Sequence, residues 1–140
     1  MDASSSRPVG LILSHAGESP VALLGEWLRE HGCRYEVCDV TSEPLPALEG
    51  YDFVASLGSS HSANDRERAW VSAEIELLRE AVARHIPVLG LCFGGQALAI
   101  ALGGEVTEAT PPQVGWFELS CCLALTALLT LYLITSRARA

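Results

Sequence analysis

The chain has 140 residues, 49% of them hydrophobic, and a formal net charge of −8. That length suits one domain with a real core, and the composition excludes a disordered or fibrous chain. The acidic balance argues against nucleic acid or an anionic membrane as a partner, because both call for clustered Lys and Arg, and here the basic residues are scattered apart from Arg66 with Arg68 and Arg137 with Arg139.

Residues 1–8 read as a disordered polar leader without the apolar stretch of a signal peptide. Val9 to Ser14 is a short apolar run and reads as a buried strand. Ser19-Pro20 opens a helix, with Ser19 as cap and Pro20 at its first position. Leu24, Trp27, Leu28 and His31 recur at helical spacing, and Gly32 stops the helix. Arg34 to Val40 is a second strand. Pro44 and Pro46 make residues 41–51 a loop. Phe53 to Leu57 is a third buried strand, and the small polar run Gly58 to Asn64 is a loop at its C-terminal end. A long helix starts near Asp65, with Val71, Ile75, Leu78 and Val82 as its core face. Pro87 to Leu91 is a fourth strand. Gly94 to Leu102 is a helix stopped by Gly103-Gly104, and Glu105 to Thr107 begins another strand.

Strand and helix alternating in this way predict an α/β fold, a three-layer open parallel sheet with helices on both faces. Ligands bind such sheets beyond the C-terminal ends of the strands. Ser14 to Ser19, Gly58 to Asn64 and the turn at Cys92 converge there.

The five cysteines, Cys33, Cys38, Cys92, Cys121 and Cys122, are odd in number and fit no zinc spacing. They read as reduced thiols of a cytoplasmic protein. No metal or cofactor is expected. Cys92 stands apart because it lies where a buried strand turns directly into a helix, in Gly90-Leu91-Cys92-Phe93-Gly94-Gly95-Gln96. A turn this tight lifts a nucleophile above the sheet edge and needs small neighbours. Gly90, Gly94 and Gly95 supply them. The helix N-terminus favours an ionised sulfur, and the N–H of Phe93 is positioned to stabilise an oxyanion.

The run from Pro87 to Ala99, followed by Ala101-Leu102-Gly103-Gly104-Glu105-Val106, resembles the class I glutamine amidotransferases, and among them the stand-alone members similar to the glutaminase domain of GMP synthase. Upstream, residues 51–60 resemble that family's strand and oxyanion loop, His15 and Glu18 sit where this subgroup often has such residues, and Gly115-Trp116 resembles a downstream element. The resemblance covers residues 9–118 and implies a flavodoxin-like sheet of that family's type. It implies hydrolysis of the side-chain amide of L-glutamine through a cysteine thioester, with ammonia passed to a synthetase domain or subunit. By resemblance Cys92 is the nucleophile. Gly58, Ser59 and Phe93 form the oxyanion hole, and Gln96 and Gly94 bind substrate.

Two departures bear on activity. The family's oxyanion loop usually reads Gly-Gly-Pro, whereas this chain has Gly58-Ser59-Ser60. The family also has a His-x-Glu well downstream of the cysteine, the His serving as base and the Glu as its orienter. Here His15, His31, His61 and His85 all precede Cys92. His15 and His61, on loops at the correct sheet edge, are the candidates to substitute. The expectation is therefore a weakly active or inactive amidotransferase-type domain. The alternatives are a PfpI-like cysteine-elbow protein, in which Glu18 would stand near the thiol, and a non-catalytic binding or regulatory module.

Residues 119–140 change character. From Leu119 to Ser136 there is no charged residue, which reaches the lower edge of a membrane-spanning length. Three readings stay open: a shifted frame or truncation that leaves the C-terminal part of the domain missing or aberrant, a membrane anchor flanked by Arg137 and Arg139, and a segment that packs on the sheet. No membrane partner is expected unless residues 119–136 are a genuine anchor.

Overall fold

The computed structural model describes residues 7–108. Within them four parallel strands form one sheet in the order β2-β1-β3-β4, from β1 (Val9–Ser14), β2 (Arg34–Asp39), β3 (Phe53–Ser56) and β4 (Val88–Gly90). The ladder registers Leu13 with Cys38 on one side and with Ser56 on the other, and Ser56 with Gly90. The strands thus end level, and their C-terminal ends form one edge. The predicted leader reaches into this description only at residues 7 and 8, and the tail from Leu119 lies outside the described residues.

The helices are α1 (Ala22–Glu30), α2 (Ala69–Ala83) and α3 (Phe93–Ala101). Side chains alternate between the two sheet faces. Ile12, Ala55 and Leu57 point to the face covered by α1, where Leu28 is buried among them and Val21 and Leu24 pack alongside. On the other face α2 and α3 pack against each other and against β3 and β4. The three-layer arrangement expected from the alternation is therefore present.

All three helices stop the same way. Beyond the last turn one residue takes positive φ, and the next N–H reaches back to a carbonyl of that turn: Cys33 to Leu28 at 2.8 Å, Ile86 to Ala81 at 2.9 Å and Gly104 to Ala99 at 2.8 Å. Gly32 and Gly103 hold two of these positions at φ 72° and 86°, and His85 holds the third at φ 59°. Glycine adopts that conformation freely, whereas histidine does so at some cost.

Four local expectations are corrected. The first helix starts at Ala22, with Val21 and not Ser19 at its cap position. Trp27 is 53% exposed and lies outside the core. Its ring stacks on His31 at 4.1 Å, a partner one helical turn away. The second helix starts at Ala69, because residues 65–68 are held in turns by Arg68 N–H on the Asp65 carbonyl and Arg66 N–H on that of Asn64. Its buried stripe runs through Val71, Glu74, Ile75, Leu78 and Ala81, while Val82 is half-buried at the margin. Finally, Glu105 to Thr107 forms no strand, and the Val106 carbonyl accepts a hydrogen bond from the Asn64 side-chain amide instead.

Two features fix the site end of this fold. The first is a backbone contact. A Cβ on Gly90 would lie 2.5 Å from the Gly94 carbonyl oxygen, and one on Gly94 would run into that of Ser56. A Cβ on Gly95 would meet nothing closer than 3.4 Å, an ordinary contact. So α3 sits on the ends of β3 and β4 because Gly90 and Gly94 carry no side chain.

The second is a buried polar network. Both carboxylate oxygens of Glu74, on α2, are engaged. Oε1 accepts from the Ser56 hydroxyl at 2.6 Å, and Oε2 lies 2.9 Å from His15 Nε2. Glu74, Ser56 and His15 are each fully buried. Burial opposes a charge on His15, but the hydrogen bond and charge of Glu74 and the Gly58 carbonyl outweigh it and raise the pKa above the ordinary histidine value. The ring is also flanked by Phe93 and Trp70, with ring centroids at 4.8 and 5.3 Å.

Three outcomes follow from these contacts. In urea melts, Gly90→Ala should lose about 1–3 kcal/mol by overpacking backbone on backbone, whereas Gly95→Ala should be neutral or gain up to about 1 kcal/mol from helix propensity. Glu74→Ala should cost about 3–5 kcal/mol, because it strands both His15 and Ser56 in the core. With a raised folded-state pKa, the His15 contribution is complete below the ordinary histidine value and is lost as pH rises through the raised one. Wild-type melting temperature should therefore fall as pH rises from the ordinary histidine value through the raised one, and Glu74→Gln should flatten the decline.

Candidate active site at the Cys92 elbow

Cys92 links β4 to α3 with φ 53° and ψ −109°, a conformation that costs a non-glycine residue about 1–3 kcal/mol. Cys92 occupies the cap position of α3, and its carbonyl accepts the first helical bond, from Gln96 N–H at 3.1 Å. The side chain is thereby pushed out of the helix path, and the residue is exposed while Phe93 and Gly94 beside it are buried. An exposed cysteine after a core strand is the opposite of the buried structural thiol that cysteines usually make. Cys38 is such a thiol, with burial pushing its pKa up.

The backbone around Cys92 is only partly satisfied. The Gly94 N–H is shared between the carbonyls of Leu57 and Leu91. No acceptor for the Phe93 N–H, at the helix N-terminus, occurs among the described residues. Gln96 is exposed on the first turn of α3, whereas Gly94 is buried and contributes close packing on Ser56.

The loop after β3 stands directly opposite. A Cβ on Gly58 would lie 3.6 Å from the Cys92 Cβ and 3.0 Å from the Ser19 hydroxyl. Ser19, predicted as a helix cap, instead lines this contact. The Gly58 carbonyl accepts from His15 Nδ1 at 3.1 Å. Glu18 reaches across from the β1–α1 loop. Its Oε2 accepts from Ser60 N–H at 2.7 Å and from the Ser59 hydroxyl at 3.2 Å, and its Oε1 accepts from the Ser60 hydroxyl at 2.8 Å. The Ser60 donors, with the Ser59 hydroxyl and His61 beyond them, hold the Glu18 carboxyl below the usual carboxylate range. The three segments expected at this sheet edge do converge.

The two histidines considered as replacement bases are placed differently from that expectation. His15 is buried, with one ring nitrogen on Glu74 and the other on Gly58. Donation from Nδ1 to a carbonyl requires a proton there, and Nε2 shares another with Glu74. No lone pair remains to accept a thiol proton. His61 lies with its ring edge-on to Trp70, and its Nδ1 is 3.2 Å from the Ser59 hydroxyl. Glu18, the residue a PfpI-like reading would set against the thiol, is committed to Ser59 and Ser60. Among the described residues no side chain hydrogen-bonds the Cys92 sulfur. Glu74, Ser56 and Trp70 were not among the sequence candidates. The one signal for Glu74 is its phase, three residues after Val71 on the buried stripe.

No described helix is long and apolar enough to cross a membrane. The sequence matches the family described as glutamine amidotransferase class-I over residues 13–121. It is 28% identical over 114 residues to the glutamine-hydrolyzing GMP synthase of Legionella pneumophila (strain Lens), covering 78% of this chain and 20% of that protein. It is 37% identical over 78 residues to one subunit of the glutamine-hydrolyzing GMP synthase of Sulfurisphaera tokodaii, covering 56% of this chain and 39% of that protein. Among solved structures, a glutamine amidotransferase from Methylobacillus flagellatus superposes with a TM-score of 0.66 at 39% identity, over 75% of this chain and 42% of that one. Another, from Thermotoga maritima, gives 0.64 at 27% identity, over 70% of this chain and 44% of that one. The chain thus spans a fifth of the Legionella synthase and under half of these two structures. The sheet, the strained cysteine turn and the match over most of the sequence lead to one conclusion: this chain belongs to the class I glutamine amidotransferase family.

Proposed function

We propose that this chain carries the nucleophile and oxyanion parts of a glutaminase site, which would hydrolyse the side-chain amide of glutamine and pass ammonia to a synthetase domain or subunit. The observation that carries this reading is the exposed Cys92 at φ 53°, set between a Phe93 N–H that has no acceptor among the described residues and the Gly58 loop. The names of the Legionella and Sulfurisphaera proteins support the choice of substrate and of a synthetase as partner.

In the first step the Cys92 sulfur forms a bond to the amide carbon, and the carbonyl electron pair moves to oxygen. The N–H groups of Phe93 and of the Gly58-Ser59 loop receive that oxyanion. Collapse breaks the C–N bond. The nitrogen takes up a proton and leaves as ammonia, and a thioester remains. Water then adds to the thioester, and glutamate leaves as the thiol re-forms. Gln96, on the open side of the first turn of α3, helps hold the substrate, and Gly94 sets the floor beneath it.

Both halves of this cycle need a group that takes the thiol proton and returns it to nitrogen. His15 does not meet that requirement, since both its ring nitrogens are occupied. No histidine follows Cys92 in the sequence. On this reading the described residues hold a nucleophile without its base, and turnover by them alone is weak or absent.

A chloromethyl ketone analogue of glutamine separates the two parts. Intact mass spectrometry should show one adduct on Cys92, and Cys92→Ser should abolish it. Glutamate release from glutamine should fall about 10²–10⁴-fold below that of a site with a general base. A wild-type chain that takes no label would overturn the nucleophile assignment. Glutamate release at the rate of an intact triad would overturn the missing base.

A further inference from the structure

Resting on that reading of the Cys92 site, we infer that Glu18 is a positioning residue. It clamps the Gly58–Ser60 loop through Ser60 and both serine hydroxyls, and so holds the Ser59 N–H, the donor the proposed site already requires, toward Cys92.

The assignment comes from counting what the loop's groups already do. The Ser60 N–H is used, because Glu18 Oε2 accepts it at 2.7 Å. The Gly58 carbonyl is turned inward onto His15 Nδ1. In a trans peptide the N–H points opposite to the carbonyl. The Ser59 N–H therefore faces away from buried His15, on the open side where Cys92 is exposed. No acceptor for it occurs among the described residues. It belongs to the same peptide as Gly58, whose Cα approaches Cys92 closely enough that an added Cβ would be in contact with it.

His15 and Glu18 thus hold successive peptides from opposite sides. His15 fixes the inward carbonyl and is itself locked by Glu74. Glu18 fixes the outer peptide and both hydroxyls. This explains how a loop with Ser59 in place of a second glycine still presents a donor: the side chains that replace glycine and proline are the ones Glu18 grips. Glu18 is exposed to solvent and lies four residues beyond β1, so replacing it removes the clamp without opening the core.

Two electrophiles test this on the full chain. With the chloromethyl ketone of glutamine, the sulfur adds to the ketone carbon and the oxygen carries the electron pair as an oxyanion. The sulfur then displaces chloride from the adjacent CH2, its bond to the ketone carbon breaks as the oxyanion pair re-forms the carbonyl, and a thioether remains. Iodoacetamide reacts by direct displacement of iodide and forms no oxyanion. Glu18→Ala should slow labelling by the ketone about tenfold or more, within the range known for loss of an oxyanion donor. Iodoacetamide labelling and melting temperature should stay at wild-type values, and Glu18→Gln should be intermediate because it keeps one acceptor oxygen. Equal ketone rates in wild type and Glu18→Ala would overturn the positioning role, and so would a parallel loss toward both reagents. A wild-type chain unreactive to the ketone but reactive to iodoacetamide would remove the glutaminase reading itself, a failure distinct from either of these.

Discussion

The site end of this molecule depends on Glu74, a carboxylate with both oxygens spoken for. One holds Ser56 at the end of β3, and the other holds His15 just beyond β1. Through Ser56 the effect passes to α3, because Gly94 rests on that residue's backbone. Through His15 it passes to the Gly58 carbonyl and so to the loop facing Cys92. A buried polar group is worth keeping only when every partner is satisfied. Here every buried side-chain polar atom among the described residues has a partner. The apolar core brings the elements together, and this network sets the register of three of them at the sheet edge where the cysteine stands.

The sequence made some of this legible and not the rest, for identifiable reasons. Gly90 and Gly94 announced a close backbone approach, and the structure shows what they approach. Gly32 and Gly103 announced helix ends because their φ values need no side-chain compromise, whereas His85 occupies the same position unannounced. Trp27 shows the limit of periodicity. It recurs at helical spacing with Leu24 and Leu28, yet it is 53% exposed and its ring stacks on His31. Glu74 was silent because its partners lie 18 and 59 residues away in sequence. A polar residue on a buried stripe acquires its meaning only from such distant groups, and local pattern carries no information about them.

The same physics explains why a histidine at the correct sheet edge is not therefore a base. His15 lies on the same loop cluster as Cys92, but its chemistry is decided by what touches its two nitrogens, and both touch acceptors. A general base needs one nitrogen held and the other free. His15 has neither free, and its raised pKa follows from the same contacts. The carboxylate that would orient a catalytic imidazole here immobilises a structural one.

That distinction changes what the Gly58-Ser59-Ser60 loop signifies. A second glycine gives such a loop the freedom to reorient its peptide, and serine restricts that freedom. Restriction harms a site that must rearrange but suits one that is already arranged. With His15 on one side and Glu18 on the other, this loop has its carbonyl and its outer amide already engaged. Preorganised donors stabilise developing charge without the cost of reorienting during reaction. On the proposed reading, the departure at Ser59 and the presence of Glu18 are one adaptation: conformational freedom given up in the backbone is replaced by hydroxyl and amide donors that a carboxylate on the neighbouring loop holds.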